Sequence, residues 1–174
     1  MSLPGSQRVA GTDGNDFSHR ERVAEHYKIS VETKPRFRLC IYLHFGVALL
    51  VIAQLLSVHF ELFPNLNIPK PDPWEYVWLL TLIPSIAGLL SMKKNDVWLM
   101  NIFFRGTVLL GLSTIMTAII FNLSDLFTLA SLTKISVIIS YVFLIVMVQI
   151  HAISLYMANI LLHSWQQNKS TKKN

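Results

Sequence analysis

The chain has 174 residues, of which 52% are hydrophobic and 14% are charged, and its formal net charge is +5. Soluble domains carry about 25% charged residues, and 12 of the 25 charged side chains here lie in residues 1–38. The rest of the chain cannot supply the charged surface of a soluble domain, so its hydrophobic surface must face lipid. Basic residues flank the apolar segments and form no single stripe, which indicates a lipid bilayer and no nucleic acid as the partner.

Four apolar segments are long enough to cross a bilayer. The predicted transmembrane helices are residues 39–60, 76–92, 97–121 and 135–162. The segments between and around them are a tail at 1–38, a proline-rich loop at 61–75, a polar turn at 93–96, a loop at 122–134 and a tail at 163–174. Short connections make successive helices antiparallel. The sequence therefore predicts an all-α membrane protein, a small antiparallel bundle of four transmembrane helices.

Lysine and arginine are distributed unevenly between the two sides of the predicted bundle. The two tails and the 93–96 turn carry 12 of them, whereas the loops on the opposite side carry only Lys70 and Lys134. Basic residues are retained on the cytosolic side of membrane proteins. Both termini are therefore predicted to be cytosolic, and the proline-rich loop luminal or external.

The N-terminal tail contains a second structural signal. Ser18 and Glu21 fit a capping box, which predicts a short cytosolic helix near residues 19–28. Membrane insertion does not require Arg20, Glu21, Arg22 and Tyr27, because the basic residues next to the first span are enough to set the topology. Two interpretations stay open, a solvated charged helix and a docking element for a cytosolic partner.

Motifs for enzymatic chemistry are absent from the sequence. It has no HExxH, GxSxG, P-loop, CxxC or GxGxxG pattern, and the single cysteine, Cys40, excludes an intramolecular disulfide and a cysteine-based zinc cluster. No acidic residue occurs within the predicted spans. The chain is therefore predicted to be no enzyme, with no metal and no cofactor.

The few polar residues inside the spans allow either structural roles in helix packing or a transport function. Gln54 and Gln149 lie at equal depth when counted from the cytosolic ends of their helices, which predicts an interhelical amide pair. Structural, hydrogen-bonded roles are favoured for His44, His59 and His151, and Arg105 is expected to extend toward the cytosolic headgroups. The alternative function is a small transporter or channel with Gln54, Gln149 and His151 at mid-membrane.

Several segments together resemble the Jagunal family. They are AGTDGNDFSHRERVAEHY at residues 10–27, WEY at 74–76, PSIAGLLS at 84–91, VQIHAISLY at 148–156 and LLHSW at 161–165. The resemblance implies a four-pass protein of the endoplasmic reticulum membrane with cytosolic termini. It also implies a role in organising that membrane and in vesicle transport through the early secretory pathway, with vesicle-coat or other cytosolic trafficking proteins as partners.

The C-terminal tail departs from one feature that the resemblance implies. Family members can end in a dilysine retrieval signal, with lysines three and four residues from the end. Here Lys172 occupies the third place, Thr171 the fourth, and Lys173 is the penultimate residue. The alternative interpretation of Lys172 and Lys173 is an ordinary basic flank that sets topology.

Overall fold

The structure is a computed structural model that describes the backbone of residues 15–65, 68, 70–121 and 135–171, and the side chains of 27–65, 68, 70–121 and 141–166. Within these residues all regular secondary structure is helical, which confirms the all-α fold. Among the described residues, four helical segments are long and apolar enough to cross a membrane: Tyr27–His59, Pro73–Lys94, Val97–Phe121 and Tyr141–Gln166.

The helices follow the predicted order with altered boundaries. They are α1 (Asn15–His59), α2 (Pro73–Leu79), α3 (Leu82–Lys94), α4 (Val97–Gly106), a π-helix (Thr107–Leu112), α5 (Ser113–Phe121) and α6 (Ile135–Thr171). The second span comprises α2 and α3, and the third comprises α4, the π-helix and α5.

The first helix differs most from its predicted boundaries. A separate tail helix near residues 19–28 was expected, but α1 continues for 45 residues into the first span, about 67 Å at helical rise. Pro35 lies inside α1 without ending it. Proline removes one backbone donor, and the burial of Phe37 and Ile41 just beyond it holds the helix against the bundle.

The second span is interrupted where α2 meets α3. Pro84 has no N–H to donate to the carbonyl of Leu80, which lies four residues earlier. The backbone instead makes two hydrogen bonds there that span three residues where an α-helix spans four. They run from the Leu80 N–H to the Val77 carbonyl and from the Thr81 N–H to the Trp78 carbonyl. The break between α2 and α3 therefore lies at Leu80 and Thr81, one turn before the proline.

The start of this span corrects the prediction that the spans contain no acidic residue. The predicted helix began at Tyr76, whereas the membrane-compatible segment begins at Pro73 and includes Glu75, which is buried. Proline at the first position of a helix costs no hydrogen bond. The helix can therefore begin before the aromatic residues and bring Glu75 into the bundle.

The polar turn between α3 and α4 ends one helix and begins the next. Asn95 adopts a left-handed conformation with φ of 52° and caps α3, a position that asparagine tolerates better than most residues. Asp96 then accepts hydrogen bonds from the backbone N–H groups of Trp98 and Leu99 and so caps α4. These caps bring α4 back along α3.

A heptad pattern joins α1 to α6, which form the most extensive helix interface in the described part of the chain. Most of the buried side chains on the two helices recur at intervals of three, four or seven residues. On α1 they are Ser30, Phe37, Ile41, His44, Ala48 and Val51, and on α6 they are Leu144, Met147, His151, Ser154, Ala158, Leu161 and Trp165. Such spacing is typical of left-handed packing between neighbouring helices.

Two side-chain contacts define the register of this antiparallel pair. The Trp165 indole N–H donates to the Ser30 hydroxyl over 3.2 Å, and the rings of His44 and His151 lie 4.9 Å apart. The second contact is fourteen residues further along α1 and fourteen residues back along α6. The N-terminal part of α1 and the C-terminal part of α6 therefore leave the bundle at the same end.

The common exit of both tails leads to a topological prediction. The N-terminus of α1 and the C-terminus of α6 both lie on the side richer in basic residues. Protease added to sealed microsomes should therefore remove both tails. The measurement is immunoblotting with a tag at each terminus, and detergent should then expose a tag placed in the 61–75 loop. Protection of either terminal tag before detergent addition would contradict the orientation.

Candidate functional site

A buried polar layer lies at the centre of the bundle. His44 from α1 and His151 from α6 are 4% and 1% exposed, and Trp78 and Thr81 join them from the second span. One apolar cluster lies on each side of this layer. The cluster on the side of the N-terminal part of α1 includes Phe37, Phe103 and Trp165, and the opposite cluster includes Val51, Ile115 and Leu144. We call His44, Trp78, Thr81 and His151 the histidine layer.

The protonation of His151 follows from its hydrogen bond. The indole nitrogen of Trp78 lies 3.0 Å from Nε2 of His151. Because an indole N–H can only donate, the imidazole nitrogen must accept and carries no proton. The His151 ring is therefore neutral, with its proton on Nδ1.

Thr81 determines the proton position on His44 by the same kind of argument. The Thr81 hydroxyl donates its single proton to the Trp78 carbonyl over 2.6 Å, so its oxygen accepts from Nε2 of His44, which is 2.9 Å away. The His44 ring also stacks on Trp78, with a centroid distance of 5.0 Å and an interplanar angle of 25°. The two histidines therefore hold their protons on different ring nitrogens.

The third span closes the layer with a glycine. A Cβ atom added to Gly111 would lie 2.9 Å from Nε2 of His151, closer than real side-chain carbons approach. The buried positions leading to Gly111 are spaced by three, four and four residues, namely Met100, Phe103, Thr107 and Gly111. A regular heptad would bring the preceding residue, Leu110, to that position. The π-helix absorbs one additional residue and keeps Gly111 against His151.

The arrangement of protons limits the chemistry of the histidine layer. A catalytic base must be able to take the proton of its nucleophile. Nε2 of His44 already carries a proton, and the Thr81 hydroxyl donates to a backbone carbonyl. In the described part of the chain, no three histidine, cysteine, aspartate or glutamate side chains are grouped so that they could hold a metal ion. The layer joins the first, second and fourth spans through hydrogen bonds, and the third span packs against it at Gly111.

The proposed amide pair between Gln54 and Gln149 stays a prediction, and the helix register does not favour it. Gln54 is half-buried and Gln149 is exposed on the surface of α6. In the register that the His44–His151 and Ser30–Trp165 contacts define, Gln54 is level with Tyr141, and Gln149 is level with Gly46. The two glutamines are then about 12 Å apart along the bundle.

The other predicted membrane residues occupy different surroundings. His59 and Arg105 are exposed on the bundle surface, whereas His151 packs against Trp78 and Gly111. Of the predicted partner-binding residues, Tyr27 is 70% exposed on α1. The side chains of Arg20, Glu21 and Arg22 lie outside those that the structure describes, as do Lys172 and Lys173.

The N-terminal part of α1 is held by α6 close to Tyr27. Trp165 donates to Ser30, and the Lys34 ammonium lies 5.7 Å from the centroid of the Trp165 ring, within the range of a cation–π interaction. Ser30 lies one turn from Tyr27 along α1, and Lys34 lies two turns from it. The part of α1 that leads to the tail therefore starts from a fixed point on the bundle.

Sequence reasoning missed Trp78, Thr81 and Gly111 as partners of the histidines. Trp78 is 1% exposed, although it opens the second span beside Trp74 and Tyr76, where aromatic residues usually lie at the membrane interface. The heptad spacing of His44 with Phe37 and Val51, and of His151 with Leu144 and Ala158, was the available signal. It shows that each histidine faces the other helix.

Comparison with known proteins agrees with this architecture. The Jagunal family, described as "Jagunal, ER re-organisation during oogenesis", matches residues 1–169. The chain is 35% identical to protein jagunal homolog 1 of Homo sapiens and 34% identical to that of Mus musculus, over 99% of each chain. It is 32% identical to protein jagunal of Drosophila melanogaster, also over 99% of both chains. The match covers the tails, the four spans and both histidines, and this chain therefore belongs to the Jagunal family.

Proposed function

We propose that this chain is a non-enzymatic, multi-pass protein of the endoplasmic reticulum membrane. It organises that membrane and supports vesicle transport in the early secretory pathway. The observation that carries the proposal is the family match over residues 1–169, together with four helices able to span a membrane. Coverage of 99% of the relatives' length extends the comparison to the whole architecture.

The interior of the bundle supports a scaffold over a transporter. A conducting path needs polar groups that converge on space for water or substrate. His151 instead lies against Trp78 and leaves no room for a methyl group at Gly111. Gln149 faces outward. The polar residues of the transporter alternative therefore do not converge, which favours the organising role.

The partner surface is proposed at the cytosolic end of α1. Because α1 is one helix from Asn15 to His59, the tail residues are a direct extension of the first span. Arg20, Glu21 and Arg22 combine both charge signs, which suits a protein surface better than an anionic lipid patch. Vesicle-coat or other cytosolic trafficking proteins are the proposed partners, with exposed Tyr27 as a further contact.

Replacing Arg20, Glu21 and Arg22 together with alanine tests this proposal. We expect the variant to insert and to localise to the endoplasmic reticulum, because the basic residues beside the span remain. We expect delivery of secretory cargo to fall when the variant replaces the wild-type chain in cells that lack it. The measurement is a pulse-chase assay of a secreted reporter, with microscopy of the endoplasmic reticulum in the same cells.

A matched control is the replacement of Lys172 and Lys173 with alanine, which also removes charge from a cytosolic tail. It should leave secretion unchanged if the N-terminal segment is the docking element. Full restoration of secretion and membrane organisation by the triple variant would contradict the proposed docking role. Loss of secretion only in the C-terminal variant would assign the partner surface to the other tail.

A further inference from the structure

Arg105 places a positive charge on the outer surface of the third span. It lies eight residues after Val97, where that span begins, or about 12 Å along the helix, and it is exposed. Arginine keeps its charge in proteins, and a charge at this depth is costly unless it reaches a polar group. Within the described part of the chain the guanidinium has no hydrogen bond and no ion pair. The membrane itself must therefore supply its partner.

The helix direction determines which side of the membrane Arg105 can reach. Side chains of an α-helix tilt toward the N-terminus of their helix, and α4 begins at the 93–96 turn. Trp98 lies seven residues before Arg105 on the same face of α4 and is 69% exposed. An exposed tryptophan near the start of a span is typical of the headgroup level. Arg105 therefore extends from the hydrocarbon toward the headgroups beside Trp98.

The register between α3 and α4 places Lys94 at the same end. The Ser91 hydroxyl lies 3.9 Å from the sulfur of Met100, and a Cβ atom added to Gly88 would lie 2.8 Å from the ring of Phe103. These two contacts bring Lys94 level with the first residue of α4. The lysine thus lies at the membrane surface toward which the arginine extends.

Lys94 and Arg105 also lie on the same side of the α3–α4 pair. One flank of each helix faces the bundle, where Leu89 of α3 and Phe104 of α4 pack against an apolar cluster. At 3.6 residues per turn, exposed residues occupy the opposite flank of each helix. They are Ile83, Leu90 and Lys94 on α3 and Trp98 and Arg105 on α4. We call these five residues the arginine face.

The positive charge of the arginine face is not balanced by the residues around it. Asp96 is the one acidic residue in 82–121, and its carboxylate caps α4 by accepting two backbone N–H groups. Lys94, like Arg105, has no hydrogen bond or ion pair in the part of the chain that the structure describes. Two cations from neighbouring helices therefore face the headgroup level without an anion.

We propose that the arginine face binds an anionic phospholipid from the leaflet next to the 93–96 turn. The headgroup phosphate lies between Arg105 and Lys94, and an acyl chain follows Leu90 and Ile83 along α3. A guanidinium can donate two parallel N–H bonds to one phosphate, and the lysine adds a compact positive charge. This site is separate from the partner surface proposed on the N-terminal tail.

The net charge of the lipid determines which lipid the site selects. A zwitterionic headgroup carries an ammonium group beside its phosphate, and the second cation of the site repels that group. An anionic headgroup without an ammonium group meets no such repulsion. Each lysine or arginine at the membrane surface favours anionic lipid by about fivefold in affinity. Removal of either cation should therefore weaken binding by about this factor.

The test follows the indole N–H signals of the full-length protein in zwitterionic detergent micelles by nuclear magnetic resonance. Dioctanoyl phosphatidic acid is the probe, and dioctanoyl phosphatidylcholine is the matched zwitterionic lipid. We expect phosphatidic acid to shift the Trp98 signal until it saturates, and phosphatidylcholine at the same concentrations to leave it in place. Trp74 is the internal control, because its N–H donates to Asp72 at the other end of the bundle.

The variant R105Q removes the charge and keeps a polar side chain on the exposed surface. Half-saturation of the Trp98 shift should then need about five times more phosphatidic acid, and K94Q should have the same effect. K70Q is the matched control, because Lys70 is an exposed lysine outside the arginine face; its titration should match that of the wild-type chain.

Three results would overturn the proposal. They are an equal response of the wild-type Trp98 signal to both lipids, a titration that R105Q leaves unchanged, and a loss in K70Q as large as that in R105Q. If R105Q does not fold, K94Q decides in its place, and an unchanged titration in that variant would overturn the proposal.

Discussion

Replacement of Trp78 with alanine should destabilise the folded bundle by about 3 to 5 kcal/mol. The side chain is 1% exposed and contacts both histidines. In a membrane the unfolded helix keeps tryptophan in lipid, so the loss comes from packing and hydrogen bonds, with little hydrophobic transfer. The alanine variant leaves a cavity in the opposite apolar cluster and removes the partner of the His151 Nε2 atom.

The measurement is reversible unfolding by sodium dodecyl sulphate in mixed micelles, followed by far-ultraviolet circular dichroism. Trp98→Ala is the matched control, because Trp98 is 69% exposed on α4; its effect should stay within about 0.5 kcal/mol. Trp78→Phe keeps the ring and removes the donor, which should cost about 1 kcal/mol. Equal losses for Trp78→Ala and Trp98→Ala would contradict a buried role for Trp78.

The number of spans and the fold class could be predicted because they depend on local composition. Apolar length identifies four segments, and all four coincide with helices able to cross a membrane. The turn at residues 93–96 was equally visible, since Asn95 and Asp96 are residues that suit the end of one helix and the start of the next. These features require no knowledge of which helix packs on which.

The register between helices could not be predicted from the apolar ends of the spans. The depths of Gln54 and Gln149 were counted from Leu39 and Leu162, but α1 and α6 both continue far into the polar tails. In this protein, counting from the end of an apolar segment therefore does not give the depth of a residue in the membrane. The pattern of buried residues, which places His44 beside His151, was a better guide than the count because packing determines the register.

The histidine layer also illustrates a limit of assigning polar residues one at a time. His44 and His151 were each expected to have a hydrogen-bonded role on its own helix, so the two were not considered as partners. Trp78 belongs to a segment with Trp74 and Tyr76, and an aromatic belt was the natural interpretation. Its inward orientation depends on the helix break at Leu80 and Thr81. Pro84 indicates that the helix is interrupted, but it does not show which way Trp78 then faces.

Gly106→Ala is the second substitution for which we expect a large loss of stability. Its control is Gly46→Ala on α1, for which we expect the opposite sign. A Cβ atom added to Gly106 would lie 2.6 Å from Cβ and 2.9 Å from Cγ of Pro84. The proline ring is joined to its own backbone and cannot rotate away, so α4 and α3 must separate. We expect Gly106→Ala to destabilise the bundle by about 1 to 3 kcal/mol, the usual cost of overpacking.

Gly46→Ala makes the same chemical change where the structure leaves space. A Cβ atom at Gly46 would meet nothing within 4 Å, and alanine favours a helix over glycine by about 0.5 to 1 kcal/mol. Gly46→Ala should therefore be neutral or stabilising in the same unfolding assay. Because helix propensity would favour alanine at both sites, a loss at Gly106 with none at Gly46 isolates the contact with Pro84. Similar stability of the two variants would show that α3 and α4 do not approach each other this closely.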